Sequence, residues 1–554
     1  MKTWMCGAAR RVPQMLSVFV VGCCCLLLTL AGPARAKSTP TVDSLQEQIK
    51  SLQQQSQEQI NALRQQLDAL KAAQEARAAQ PAPSAAAAPA QAPSEPGAGK
   101  TLFANTAVKV TLGGYLSLAG IYRDRFTGSD TNSKWNIGAG GVPLPNNPNY
   151  HMNELRGSAR ATRLSLLTEG QEDYAALSSY IEIDFLGGAG ISSTNSQGTN
   201  GYYPCLRQAF AAYDSKSGWH FLAGQAFSLI TMNKEGIIAR KENLPMVIDN
   251  TYLPGFTYTR NPQIRLVKDF GGGVWAGLSL ESPQAIITAG GLSTTPPTHA
   301  ANYTGALLRP GNAFYDVSIT NASNLPTGGG AGSLSLDQYP DIAAKVAFDS
   351  GFGHFEVYGL GRFFTDRTLV NGVHSNNTSF GLSGGAGMLL PIVPKLVEFQ
   401  ADFLYGQGNG RYGASGLFDA VVNPVTGKLN PITEFQGLMG LVAHPTSRLD
   451  VFAYAGVERA SSRDIYSSRG TTGGFAAAAY APLGLEFEGN AASSALAQAS
   501  AVEQIIVGGW YSLYKGKLGL MNVGLTDAYT RVDVFGLRNL TMNTVVACFR
   551  YYPF

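Results

Sequence analysis

Few of the chemistry-bearing residues in this chain are spaced for catalysis. Six histidines, His151, His220, His299, His354, His374 and His444, are scattered without metal-ligand spacing, so no metal site is expected. His354 and Glu356 would share one face of a strand, which admits a general-acid pair, but two residues lining a wall satisfy the same spacing. The runs Gly271-Gly272-Gly273 and Gly328-Gly329-Gly330 do not sit between a strand and a helix start, so they read as a turn and a loop rather than as phosphate cradles. No compact hydrolytic constellation can be assembled, and neither a catalytic residue nor a cofactor is expected. What remains is a set of charged residues alternating with apolar ones: Arg163, Glu182, Asp184, Arg207, Arg265, Glu281 and Arg362. Around a wet opening such residues create a field for solutes, not a reaction.

The elements that would position them have a period of two. In Tyr180 to Phe185, Ile181, Ile183 and Phe185 share one face, and Tyr180, Glu182 and Asp184 share the other. The same alternation sets Ile342, Ala344, Val346 and Phe348 against Asp341, Ala343, Lys345 and Ala347. It sets Phe355, Val357 and Phe363 against His354, Glu356, Tyr358 and Arg362, and Val397 to Tyr405 continues the pattern. A soluble sandwich with its apolar face inward alternates as well as a membrane barrel with its apolar face outward. Connection lengths separate the two. Short links such as Asp214–Gly218, Asp349–Gly353 and Tyr514–Lys517 alternate with long ones such as Ala226–Tyr258, Thr365–Asn377 and Arg459–Ser500. Short turns on one rim and long loops on the other are the arrangement of an outer-membrane barrel. The expectation is an all-β transmembrane antiparallel barrel of about sixteen strands over 107–554, an even number that leaves both barrel ends on the periplasmic side. Ala313–Asn321 is placed inside a long external loop.

Upstream, residues 1–36 read as a signal peptide. Lys2, Arg10 and Arg11 precede an apolar run, and Ala34-Arg35-Ala36 is a small-x-small cleavage site. Cleavage before Cys23, as in a lipoprotein, is the alternative. Residues 37–74 read as a periplasmic coiled-coil helix whose seam runs Val42, Leu45, Ile49, Leu52 and resumes at Ile60, Leu63, Leu67, Leu70. Self-association and a lone frayed helix both fit so narrow a stripe. Residues 75–106 read as an Ala/Pro-rich linker. The chain carries 41 Lys+Arg and 38 Asp+Glu; its first 36 residues hold four bases and no acid, so the mature charge is 3 − 4 = −1, which argues against a nucleic-acid partner. Only Cys205 and Cys548 remain after the signal, too few for a disulfide framework.

The chain ends Phe549-Arg550-Tyr551-Tyr552-Pro553-Phe554, a strand-like run from Leu540 closing on an aromatic, with Tyr552 two places before Phe554, as barrels closing in a periplasmic aromatic girdle do. Gly113-Gly114-Tyr115, Ala161-Thr162-Arg163-Leu164-Ser165, Glu182-Ile183-Asp184-Phe185, Leu206-Arg207-Gln208-Ala209-Phe210, Gly224-Gln225-Ala226-Phe227-Ser228 and Arg260-Asn261-Pro262-Gln263-Ile264-Arg265 follow in that order. With the preceding helix and linker, this series resembles the DcaP-like trimeric porins, most specifically over residues 107–270. The resemblance implies a homotrimer of barrels in outer-membrane lipid, passing small anionic or neutral solutes such as dicarboxylates. It also implies a loop folded into the lumen, here 227–258. That candidate constriction loop carries Lys234, Arg240, Lys241 against Glu235, Glu242, Asp249, a balance that favours neither sign. Any anion preference therefore rests on Arg163, Arg207 and Arg265, which could equally be wall ion pairs. Two other roles compete with the porin: a receptor or adhesin using the long loops, and a barrel hydrolase. The helix could trimerise the protein or contact peptidoglycan.

Overall fold

The structure is a computed structural model. It describes residues 100–104, 108–127, 147–186, 203–249, 253–288, 337–370, 373–422, 428–461, 499–534 and 537–554, with short pieces at 142–143, 145, 313–315, 335, 467–468 and 471–472. The signal segment, the coiled-coil helix and the linker up to residue 99 lie outside the described residues.

Sixteen strands close into one antiparallel barrel. They are β1 Val108–Arg123, β2 Glu154–Ser158 continued by Arg163–Gln171, β3 Ala175–Asp184, β4 Cys205–Ser215, β5 Trp219–Phe227 and β6 Arg260–Asp269. β7 Val274–Glu281, β8 Asp341–Ser350, β9 Gly353–Val370, β10 Val373–Val393 and β11 Val397–Gln407 follow. The last five are β12 Thr433–Thr446, β13 Leu449–Ala460, β14 Ala499–Gly516, β15 Gly519–Val534 and β16 Leu537–Tyr552. Closure comes from β1 and β16, which pair from Leu116↔Tyr551 to Arg123↔Thr544, so neither strand is left with an open edge there.

Side-chain exposure decides the facing question. Val357 is 65 % exposed and Phe403 48 %, while Glu356 beside the one is 2 % and Asp402 beside the other 5 %. The apolar residues form the outer surface and the charged ones point into the lumen, as a barrel in hydrocarbon requires.

Three details differ from expectation, and a fourth, at Ala313–Tyr315, agrees with it. Lys100–Ala104, placed in the linker, forms a strand paired with Lys109–Leu112 on the foot of β1. Thr365–Asn377, expected as a long loop, is a hairpin extension in which β9 and β10 stay paired out to Val370↔Val373. Ala313–Tyr315 pairs with Thr368–Val370 on that extension and so is not a separate span. The final strand begins at Leu537, and its parity puts Arg550 and Tyr552 inside while Phe549 and Tyr551 face out. Tyr552 packs at a tilt against the inward Tyr115 with ring centroids 5.2 Å apart, so the aromatic two places before Phe554 does not belong to the outer girdle.

Candidate functional site

The segment between β5 and β6 folds into the lumen and lies across the inner wall. Its length allows this, and the wall supplies the partners its backbone lost by leaving the sheet. Near its start, the Leu229 N–H donates to Glu281 on β7 at 2.8 Å, and the Ser228 hydroxyl donates to the same oxygen. The Asn233 N–H donates to Glu356 on β9 at 2.8 Å, and the Asn243 amide to Gln400 on β11 at 3.0 Å. Farther round, the Met246 N–H donates to the Tyr454 hydroxyl on β13, the Trp510 indole of β14 donates to the Met246 carbonyl, and Arg550 of β16 donates to the Ile248 carbonyl. Returning, the Gly255 N–H donates to Glu458 at 2.8 Å. Leu253, Phe256, Val247 and Ile248 pack with Phe452, Trp510 and Ile506 beneath it.

Two glycines make the close approach feasible. Gly255 has φ +79°, and a Cβ there would sit 2.0 Å from the Gly437 carbonyl oxygen. Gly236 has φ +55° with the Trp275 ring where its Cβ would be. Both need a left-handed backbone against a wall, which only glycine takes without strain.

The loop therefore covers the inner faces of β7 to β14, and the charged residues beneath it are structural. Glu281 is fully buried and also accepts from Asn261, Ser279 and Tyr412. Arg265 is buried, donates to the Phe227 carbonyl and to Gln263 at 3.0 Å, and holds the start of the loop. Arg362 is buried between Asp341 and Asp419 and also donates to the Gly408 and Gln284 carbonyls. Lys345 donates to Glu356 at 2.8 Å and to the Thr231 carbonyl at 2.7 Å. Burial pushes the loop's Glu242 carboxyl above its ordinary range. Arg265, Glu281 and Arg362 are all expected at the pore; the structure instead places Arg265 and Glu281 at the supports of the loop and Arg362 against Asp419 and the Gly408 carbonyl, on the connection after β11.

A second charged group sits on β2 to β6 and β16. Arg207 reaches both Glu182 at 2.6 Å and Asp184 at 2.5 Å, across a bulge that turns Arg207 and Gln208 both inward. Arg163 lies 3.5 Å from Glu182 and 5.3 Å from the Tyr115 ring centroid. Arg550 lies 4.8 Å from the same ring and 4.6 Å from that of Trp510. Arg260 donates to the Tyr258 hydroxyl at 2.8 Å. Arg240, on the loop, lies over Tyr180, whose hydroxyl donates to Glu182 at 3.0 Å. Arg163, Arg207, Arg240 and Arg260 thus gather around Glu182 and Asp184, and Arg550 joins them across the Tyr115 ring, a sum of 5 − 2 = +3. The Nε of Arg163, the Nε of Arg550 and the Nη1 of Arg260 are buried and have no hydrogen-bond partner among the described residues. Aromatic faces hold the guanidinium planes where carboxylates do not.

Of the residues expected here, Arg163, Glu182, Asp184, Arg207 and Arg240 come together. Lys241 instead pairs with Glu235 at 3.1 Å, and Asp249 is half-buried in the loop. Arg260, Arg550, Tyr115 and Tyr258 were missed. The inward parity of Arg550 with Tyr552 was the available signal; Arg260 has the parity of an outward residue and is turned by the loop it joins. Toward the short-turn rim, a cavity of about 780 Å³ opens, lined in part by Lys109, Glu169, Phe210, Asp214, His220 and Arg240.

This wall, with its outward apolar band and a loop crossing a charged lumen, defines a porin-type barrel. Over 82 % of this chain and 99 % of the other, it is similar to the crystal structure of the outer membrane channel DcaP of Acinetobacter baumannii, at 18 % identity and a TM-score of 0.50. An anion-selective porin from Comamonas acidovorans aligns over 80 % of this chain and 99 % of its own at 11 % identity and TM-score 0.40. OmpF of Salmonella typhi aligns over 81 % and 99 % at 10 % identity and TM-score 0.45. No protein-family model and no curated protein matches the sequence.

Proposed function

We propose that the protein is an outer-membrane porin that passes small hydrophilic solutes by diffusion and favours small anions such as dicarboxylates. The observation that carries this reading is the +3 cluster, whose partly exposed Arg163, Arg260 and Arg550 would draw in a passing carboxylate through their field. A porin needs a width and a field, and in this reading the arginine cluster supplies the field. The DcaP likeness supports the same fold for the wall. A purified trimer or monomer in a planar bilayer is expected to give large ohmic steps, with a reversal potential of anion-preferring sign in a salt gradient. Silent bilayers would favour a receptor, and a cation-preferring sign would refute the charge assignment.

Residues 37–74 are proposed to hold protomers together as a periplasmic coiled coil. Deleting 37–98, which spares the strand at Lys100–Ala104, should lower the temperature at which the oligomer band dissociates on a gel while leaving single-channel conductance nearly unchanged. An unchanged dissociation temperature would remove the trimerising role and leave peptidoglycan contact as the alternative.

A further inference from the structure

The tip of the constriction loop is held by two carboxylates that share one imidazole. The Gly236 N–H donates to Asp349 at 3.0 Å, and the Asn233 N–H donates to Glu356 Oε1 at 2.8 Å. His354, almost fully buried at the start of β9, stands between them. Its Nδ1 is 2.6 Å from Asp349 Oδ1, and its Nε2 is 3.0 Å from the Glu356 oxygen that the loop uses. Neutral imidazole has one N–H, so one nitrogen would present a lone pair to a carboxylate; the imidazolium donates to both. The charges facing the ring are Asp349 and Lys345 from β8 and Glu356 from β9, a sum of −2 + 1 = −1, which a protonated ring cancels. Beyond them, Lys234 and Glu235 flank the loop amides, Asp402 on β11 accepts from the Tyr358 hydroxyl, and His220, paired with Asp214, stacks on Trp275 under Gly236. Lys345 already serves the other oxygen of Glu356, so it cannot replace the imidazolium at Asp349.

We propose that His354 is the positioning residue of the constriction, seating the loop tip as imidazolium and loosening it as the neutral ring. The proposal rests on the porin reading for its consequence, though not for the latch itself. Raising pH through the histidine's titration would remove one charge-assisted contact, and Asp349 and Glu356 would then repel the ring or each other.

Amide exchange at Asn233 and Gly236 in the folded full-length barrel, corrected for the intrinsic pH dependence of exchange, tests the latch. Protection should fall about tenfold to a hundredfold across one histidine-like titration, the worth of one charge-assisted hydrogen bond. His354→Gln should show the low value at every pH. In bilayers the wild-type open-channel current should become noisier over the same pH interval, and that of His354→Gln should be noisy throughout. Wild-type protection that is flat with pH at both amides would overturn the proposal, as would His354→Gln tracking the wild type. A pH-dependent exchange profile in a protein that never conducts would sink the porin reading and leave the latch standing. Should His354→Gln fail to fold, the wild-type profile alone still decides.

Discussion

Replacing Arg362 by methionine is expected to destabilise the barrel by about 3–5 kcal/mol, the cost of breaking a buried ion pair from one side. The ratio of anion to cation permeability should hardly move. Arg362 is 1 % exposed, 3.1 Å from Asp341 and bonded to Asp419 and to two backbone carbonyls, the Gln284 carbonyl at 2.6 Å. Methionine fills much of the same volume but leaves both carboxylates without a cation. The loss should appear as a lower urea midpoint in detergent or lipid, read from the folded band on a gel. A variant of wild-type stability with an altered reversal potential would return Arg362 to the pore.

Removing three charges from the open side should do the reverse. Arg163→Ala, Arg260→Ala and Arg550→Ala together are expected to cut the anion-to-cation permeability ratio by about tenfold or more. At roughly 10 Å and an effective dielectric near 20, one unit charge acts on a passing anion with about 1.7 kcal/mol, and physiological salt screens part of it. These three are partly exposed, though Arg550 also donates to the Ile248 carbonyl, whereas Arg207 is buried, is committed to Glu182 and Asp184 and would strand both if removed. The measurement is the reversal potential in a potassium chloride gradient. If it stays at the wild-type value, the cluster is a wall brace and the solute preference lies elsewhere.

These two outcomes separate residues that the sequence places in one class. Arg163 and Arg362 both sit opposite apolar neighbours, and both point inward as that pattern implies. Asp419 and the Gly408 carbonyl, on the connection after β11, close over Arg362, whereas Arg163 stays partly exposed. The same distinction moves Arg265 and Glu281 beneath the loop, and parity carries no trace of it. Arg260 shows the converse error: its place in the alternation is outward, but as the first residue of β6 it follows the returning loop toward Tyr258. Lys241 pairs with its near neighbour Glu235, a contact that only the loop's own fold arranges.

The sequence by itself determined the period of two, the even number of spans, the rim on which the short turns lie, and the side of the wall for almost every charged residue. Those are local properties, because pleating sends successive side chains to opposite faces whatever lies farther along the chain. Only the tertiary structure decided which inward charges meet solute and which meet protein. That choice depends on bonds such as Asn233 to Glu356, Met246 to Tyr454 and Ile248 to Arg550, made between residues 123, 208 and 302 positions apart. No short-range pattern records such pairings, since each exists only once the barrel has closed and offered the loop a wall to lie against.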